Sequence, residues 1–413
     1  MNCHWLRRSG TSQSSRNENF SCYPFVTDLV TKGSGRLGRY VVTRYGGEDV
    51  RAFVPPALPP VPPLRLDGMQ QLLEDANQAL GRLDGIASSL PDLSLFLYAY
   101  VRKEAVLSSQ IEGTQSSISD LLLYESNEVP GVPLADVEEV SNYVAAMNHG
   151  LARMRGGFPL SLRLIREIHG ILMRGTRGAE KEPGEFRRSQ NWIGGTRPGN
   201  AAFVPPPPDL ALDCLGELEK YLHDASEGLP ELVKAGLVHV QFETIHPFLD
   251  GNGRLGRLLI PLLLCDKGTL REPILYLSLY FKKNRSVYYS MLDRVRAQGD
   301  WEAWIDFFLR GVQETAEQAA GAAHQISRMF SEDRTRVSKL GRASVSTLRV
   351  FEDLQQNPIG TIPATAARIG MSGPTVAKAY AHLSALGIAR ENTGRERHRV
   401  YIYAAYLAIL SSE

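Results

Sequence analysis

Four cysteines in 413 residues (Cys3, Cys22, Cys214 and Cys265) are too few and too scattered for a disulfide framework. No Cys-x-x-Cys pair offers structural zinc ligands, and the usage suits a reducing cytoplasm. Long apolar runs are missing too: the longest, Leu258 to Cys265, falls far short of the ~20 residues that cross a bilayer. Arg7-Arg8 is not followed by an apolar stretch, so no signal peptide is expected, and a membrane is not an expected partner. An excess of one charge is also lacking. Lys plus Arg is 46 and Asp plus Glu is 45, so any nucleic-acid contact needs a local patch. No internal repeat is present. What remains is an ordinary globular balance, 43% hydrophobic and 22% charged, in a chain long enough for two or three domains.

Residues 1–34 are rich in Ser, Asn, Arg and Gly without a sustained period, and are expected to be a poorly ordered extension. A strand pair is expected over 36–54 around Tyr45-Gly46-Gly47, followed by an extended connector through Pro55–Pro63. Helical periodicity begins at Leu66. A second helix is expected to start after Leu90-Pro91-Asp92 and to end at Ile111, capped by Gly113. Further helices are expected at 134–153, 161–174, 209–225, 229–245, 254–266, 284–298 and 300–328. Residues 183–208 break that pattern and read as an exposed hairpin ended by Pro205–Pro208.

The chemistry concentrates in His246-Pro-Phe-Leu-Asp-Gly-Asn-Gly-Arg-Leu-Gly-Arg257. Pro247 stops the preceding helix, and Gly251 and Gly253 let the backbone approach a ligand closely. Free N–H groups at the start of the next helix make an anion cradle, with Arg254 and Arg257 three apart beside it. Asp250 offers a hard oxygen for Mg²⁺, and His246, with a reference pKa of ~6.5, suits removal of a hydroxyl proton. This is the equipment of phosphoryl or nucleotidyl transfer. The string resembles the signature of the Fic family, His-Pro-Phe-x-Asp-Gly-Asn-Gly-Arg-x-x-Arg, at every fixed position. The resemblance implies a mainly α helical Fic fold with a small β-hairpin flap. It also implies transfer of AMP from ATP to a Ser, Thr or Tyr hydroxyl of a target protein, or of the enzyme itself. By position, His246 would be the base and Asp250 the Mg²⁺ ligand. Gly251, Asn252, Gly253, Arg254, Leu255, Gly256 and Arg257 would hold ATP.

Ser108-Ser-Gln-Ile-Glu112-Gly113 places Ser108 and Glu112 on one helical face. It resembles the family's inhibitory-helix motif, which implies that Glu112 pairs with Arg257 and blocks the productive phosphate pose. The hairpin around Ile193, Gly194 and Gly195 resembles the family flap, whose strand edge registers a target segment by main-chain pairing. Ser278–Tyr289 also resembles a Fic-core segment. Tyr289 is the candidate for the adenine pocket, while Tyr288 beside it could serve there or in the core.

The expected organisation is an N-terminal Fic-associated region over 35–130, a catalytic core over 131–330 and a winged helix-turn-helix over 340–413. In the last block, Ser344–Gln356, Pro363–Ile369 and Ser372–Leu386 read as helices before a strand at Arg399–Tyr403. Lys378 and His382 on the recognition helix, with Arg390, Arg395, Arg397 and Arg399 in the wing, leave DNA binding and protein contact both open. Two alternatives to a self-restrained adenylyltransferase follow. One is a DNA-binding regulator with a nucleotide-sensing Fic domain; the other is an enzyme that both adds and removes AMP. Homodimers are expected from the resemblance alone.

Overall fold

The computed structural model describes residues 35–89, 93–125, 132–175, 180–224, 228–394 and 399–411. The expected extension over 1–34, the helix start at Leu90-Pro91-Asp92, and Arg395 and Arg397 lie outside the described residues. The expected strand pair is β1 (Arg39–Tyr45) and β2 (Glu48–Val54), antiparallel, with Tyr45 opposite Glu48. Gly46 and Gly47 between them both take positive φ, as a two-residue turn requires to match strand twist. Val41, Val50, Ala52 and Val54 pack with Val204 in a small core of their own.

Helices follow as α1 (Gln70–Ser89), α2 (Leu93–Ile111), α3 (Ile118–Glu125), α4 (Leu134–Arg155) and α5 (Leu162–Leu172). After the flap region come α6 (Pro208–His223), α7 (Glu231–Ile245), α8 (Asn252–Asp266), α9 (Ser278–Lys283), α10 (Arg285–Gln298) and α11 (Trp301–Ser338). Every residue of α7 from Leu232 to Ile245 is buried, so the helix has no polar face to display. It packs on α8, and α8 in turn packs on α4 and α5. Each fully buried Leu, Ile or Phe contributes about 1.5–3 kcal/mol, which anchors both helices that flank the motif loop.

α11 runs ten residues past the expected end at 328, to Ser338. Tertiary packing extends it: Phe330 meets Phe351, Tyr403 and Tyr406, and the Tyr403 hydroxyl donates to Asp333 at 2.7 Å. The C-terminal block orders α12 (Ser344–Gln356), β3 (Ile359–Thr361), α13 (Ile362–Ile369), α14 (Gly373–Ala385), β4 (Arg390–Glu391), β5 (Val400–Ile402) and α15 (Ala404–Ser411). Its antiparallel sheet has the strand order β3-β5-β4. Gly370 ends α13 in the left-handed region, and the Ser372 hydroxyl accepts from Thr375 N–H to start α14. Both α12 and α15 pack on α2. Among the described residues no helix is long and apolar enough to cross a membrane.

Candidate active site

The motif loop links the ends of two buried helices. His246 is the C-cap of α7 in the left-handed region (φ 50°, ψ 61°), a conformation that a non-glycine residue keeps only when its surroundings enforce it. Asn252 ties the loop back on itself: its Oδ1 accepts from Phe248 N–H at 2.9 Å and its Nδ2 donates to Phe248 O at 2.8 Å. The Asn252 side chain is therefore spent on the loop, and what it offers a phosphate is backbone. Gly251, the N-cap of α8, has φ 76°, and a Cβ there would sit 2.6 Å from Met173 Sδ. At Gly253 a Cβ would sit 2.4 Å from Glu112 Oε1.

A cavity of about 280 Å³ is lined by Glu112, Gly113, Thr114, Glu139, His246, Leu249 and the run from Asp250 to Arg254. Leu255 and Gly256, the other expected ATP contacts, face elsewhere. Leu255 is fully buried in the core, and a Cβ at Gly256 would sit 2.3 Å from Glu243 Oε1 on α7. Tyr289 is 40% exposed, outside this lining, with Arg285 over its ring. Tyr288 belongs to the core: it stacks on Phe281 and its hydroxyl lies 2.9 Å from His239 Nε2.

Both arginines of the motif are buried, and each has an acid. Arg254 Nη1 lies 3.0 Å from Glu139 Oε1, and its Nη2 lies 3.5 Å from Asp250 Oδ1. Arg257 Nη2 donates to Glu112 Oε1 at 2.7 Å and to the Ser108 carbonyl at 3.0 Å, while its Nε donates to Ser108 Oγ at 2.9 Å. Burial alone would raise the Glu112 carboxyl, but Arg257, with Arg254 and His246 beyond it, holds it below the usual carboxylate range. Burial pushes the His246 imidazole down to about 4, helped by the Arg187 and Arg296 cations, so the ring is neutral at pH 7.

Asp250 Oδ1 accepts from Gly251 N–H at 2.7 Å, and Oδ2 lies 3.5 Å from Lys181 Nζ at the surface. Among the described residues no group of three His, Cys, Asp or Glu is gathered for a metal. Asp250, a carboxylate 36% exposed at the cavity, fits Mg²⁺, which keeps waters and takes substrate phosphates as ligands.

Several residues at the site escaped the sequence reading. His169 Nδ1 accepts from Gly184 N–H at 2.8 Å, which leaves Nε2–H to donate to the Asp250 carbonyl at 3.0 Å; the ring stacks on Phe248. Glu139 comes from α4 and Arg187 from the segment before the flap. Glu243 had a visible signal, an acid inside an apolar helix three residues before His246. Burial pushes its carboxyl up to about 7. The hairpin expected over 183–208 is held by a single antiparallel bridge: Ile193 N–H donates to Phe203 O at 2.8 Å, and Phe203 N–H returns to Ile193 O at 3.1 Å. Gly194 and Gly195 follow the bridge with positive φ, and Pro205–Pro208 lack donors, so the ladder stops there. β2 braces the flap instead, Phe53 N–H donating to Val204 O at 2.9 Å.

Known proteins are similar to parts of this chain in sequence and in fold. Residues 70–152 match the Fic/DOC family N-terminal region and residues 159–264 match the Fic/DOC family. A protein adenylyltransferase Fic of Aedes aegypti is 31% identical over 271 residues, 62% of this chain and 51% of that protein. One from Drosophila sechellia is 27% identical over 263 residues, 61% of this chain and 50% of that protein. The chain thus spans about half the length of the curated relatives it matches. Among solved structures, a Fic family protein from Desulfovibrio desulfuricans G20 aligns with a TM-score of 0.55 at 20% identity, covering 83% of this chain and 97% of that one. A Fic domain containing signaling protein from Bacteroides thetaiotaomicron VPI-5482 aligns at 0.50 and 20% identity, covering 62% and 97%. These structures establish a mainly helical Fic fold, and Glu112 lies in the stretch that matches the Fic/DOC family N-terminal region while the His246–Arg257 loop lies in the stretch that matches the Fic/DOC family.

Proposed function

We propose that this chain is a protein adenylyltransferase that moves AMP from ATP to a Ser, Thr or Tyr hydroxyl of a target protein or of itself, and that Glu112 restrains it. One observation carries the reading: the cavity that holds the neutral His246 and the α8 N-terminus also holds Glu112, already engaged with Arg257. In the reaction the target oxygen attacks the α-phosphorus as the bond to the β-phosphate breaks. Pyrophosphate leaves, and His246 takes the hydroxyl proton. Backbone N–H groups of Gly251–Gly253 and the guanidinium of Arg254 face the phosphates. Leu255 and Gly256 act behind them by holding α8 in place, and Tyr289 borders the adenine end. Asp250 would hold Mg²⁺, which neutralises phosphate charge when bound. The flap at Ile193, Gly194 and Gly195 aligns the target by main-chain pairing.

Arg257 is the distal phosphate ligand in this scheme. A carboxylate on its donor fork competes directly with a phosphate for the same N–H groups. Basal activity is accordingly low, in a cytoplasmic protein that pairs with a second copy. The test compares α-labelled with γ-labelled ATP, with intact mass, on wild type and Glu112→Gly. Label from the α position alone, lost in His246→Ala, supports AMP transfer; label from the γ position indicates a kinase and overturns it.

Two other readings have an observation each. Glu112 lines the same cavity as His246, which favours a second, AMP-removing activity with Glu112 orienting water; loss of AMP from a modified target on wild type but not Glu112→Gly tests it. The element order of the C-terminal block supports a winged helix-turn-helix, and Lys378 on α14 and Arg390 on β4 are exposed, which favours duplex DNA as a partner. Salt-dependent binding of a DNA duplex by the full chain, weakened by Lys378→Ala, tests that reading.

A further inference from the structure

Arg187 is a cation with 2% of its surface exposed, and its hydrogen bonds among the described residues go to backbone carbonyls. Its Nε donates to His246 O at 2.9 Å, Nη2 donates to Pro206 O and to Ile245 O at 3.4 Å, and Nη1 reaches Ser189 O at 3.3 Å. Its own N–H donates to Pro247 O at 2.9 Å. These acceptors fall into two groups. Ile245, His246 and Pro247 end α7 and open the motif loop, where helix carbonyls have no intrahelical partner. Ser189 and Pro206 are the two chains at the base of the flap. Asn191 repeats the link from the flap side, with Nδ2 donating to Phe248 O at 3.0 Å and to His246 O at 3.3 Å.

Burying a guanidinium is costly, and carbonyl dipoles at a helix C-terminus offset that cost. The geometry of five donors in a rigid fork lets one side chain hold both groups at once, which a lysine cannot do. His246 sits in the strained left-handed region at that junction. We propose that Arg187 is a positioning residue: it fixes the His246 backbone and locks it to the flap, so that a target aligned on the flap meets the imidazole in register. The inference rests on His246 being the base of the reaction proposed above.

The test is made in the Glu112→Gly background with the full chain, measuring AMP transfer to itself or to a model protein, and ATP affinity separately by calorimetry. If Glu112→Gly transfers no AMP, the functional reading has failed and not this one. Given transfer, Arg187→Lys is expected to lower kcat roughly 100-fold, the scale of an ångström of misplacement, with ATP affinity within about threefold of the parent. Asn191→Ala follows the same split at about 10-fold in kcat. A folded Arg187→Lys whose kcat stays within about threefold of the parent overturns the proposal, as does an equal loss of ATP affinity, which a general collapse of the site would give. Should Arg187→Lys not fold, Asn191→Ala decides: lower kcat at unchanged ATP affinity supports the link, and unchanged kcat overturns it.

Discussion

Two ion pairs one turn apart on α8 differ in a way that separates structure from restraint. Arg254 and Glu139 keep 5% and 7% of their side-chain surface, so both partners of that pair are buried although both also border the cavity. Arg257 is as deeply buried at 2%, but Glu112 keeps 37% of its side-chain surface. Breaking a buried pair strands a charge in a low dielectric; an open carboxylate can turn to water and leave its arginine for an incoming anion. The first pair therefore holds α4 to α8, and the second can be exchanged for a ligand.

The sharpest way to break this comparison is to remove the acids one at a time. Glu139→Gln leaves Arg254 only its 3.5 Å contact with Asp250 and should cost about 3 kcal/mol of stability, read as a fall in Tm, with no gain in AMP transfer. If Glu139→Gln instead activates the enzyme at unchanged Tm, the two pairs are not different in kind. Glu112→Gly should leave Tm nearly unchanged and raise AMP transfer roughly 10–100-fold, the worth of a charge-assisted bond of about 1.5–3 kcal/mol.

The pH dependence sharpens the same contrast. The lowered Glu112 carboxyl keeps its pair with Arg257 charged at neutral pH, and the pair is lost only as pH falls through that lowered value. His246, depressed to about 4 by burial, is a base well below neutral pH, so the acid limb of kcat in Glu112→Gly should lie far below 6.5. An acid limb at 6.5 would mean that the imidazole is solvated in the working enzyme. The smallest effect is expected from Ser108→Ala, which removes one bond to Arg257 Nε. Losing about 1 kcal/mol of that pairing should activate roughly fivefold without moving the acid limb.

What the sequence made legible is what is local along the chain. The loop from His246 to Arg257 is contiguous, and Ser108 and Glu112 share one helical turn, so both could be read directly. The pairing of Glu112 with Arg257 came from a family resemblance, since no periodicity links residues 145 apart. Glu139, His169 and Arg187 could not be read. Each acts through a neighbour distant in sequence, and the hydrogen bonds of His169 and Arg187 go to backbone, which leaves no side-chain hydrogen-bond partner to recognise. Secondary structure divided the same way: β1 and β2 announce themselves through Gly46-Gly47, whereas α11 runs on past its own pattern because the C-terminal block covers it.

Gly253 stands where these threads cross. Its missing side chain leaves room for the Glu112 carboxylate, and the same bare backbone is what a phosphate would approach. Under the proposed function one vacancy serves two tenants that compete for it, and the resting enzyme would need no distant relay to stay quiet. For engineering, a residue with any side chain at 253 evicts the guard and bars the guest in one stroke. If the proposed restraint holds, routes to a permanently active enzyme run through positions 108 and 112, and the glycine is closed to them.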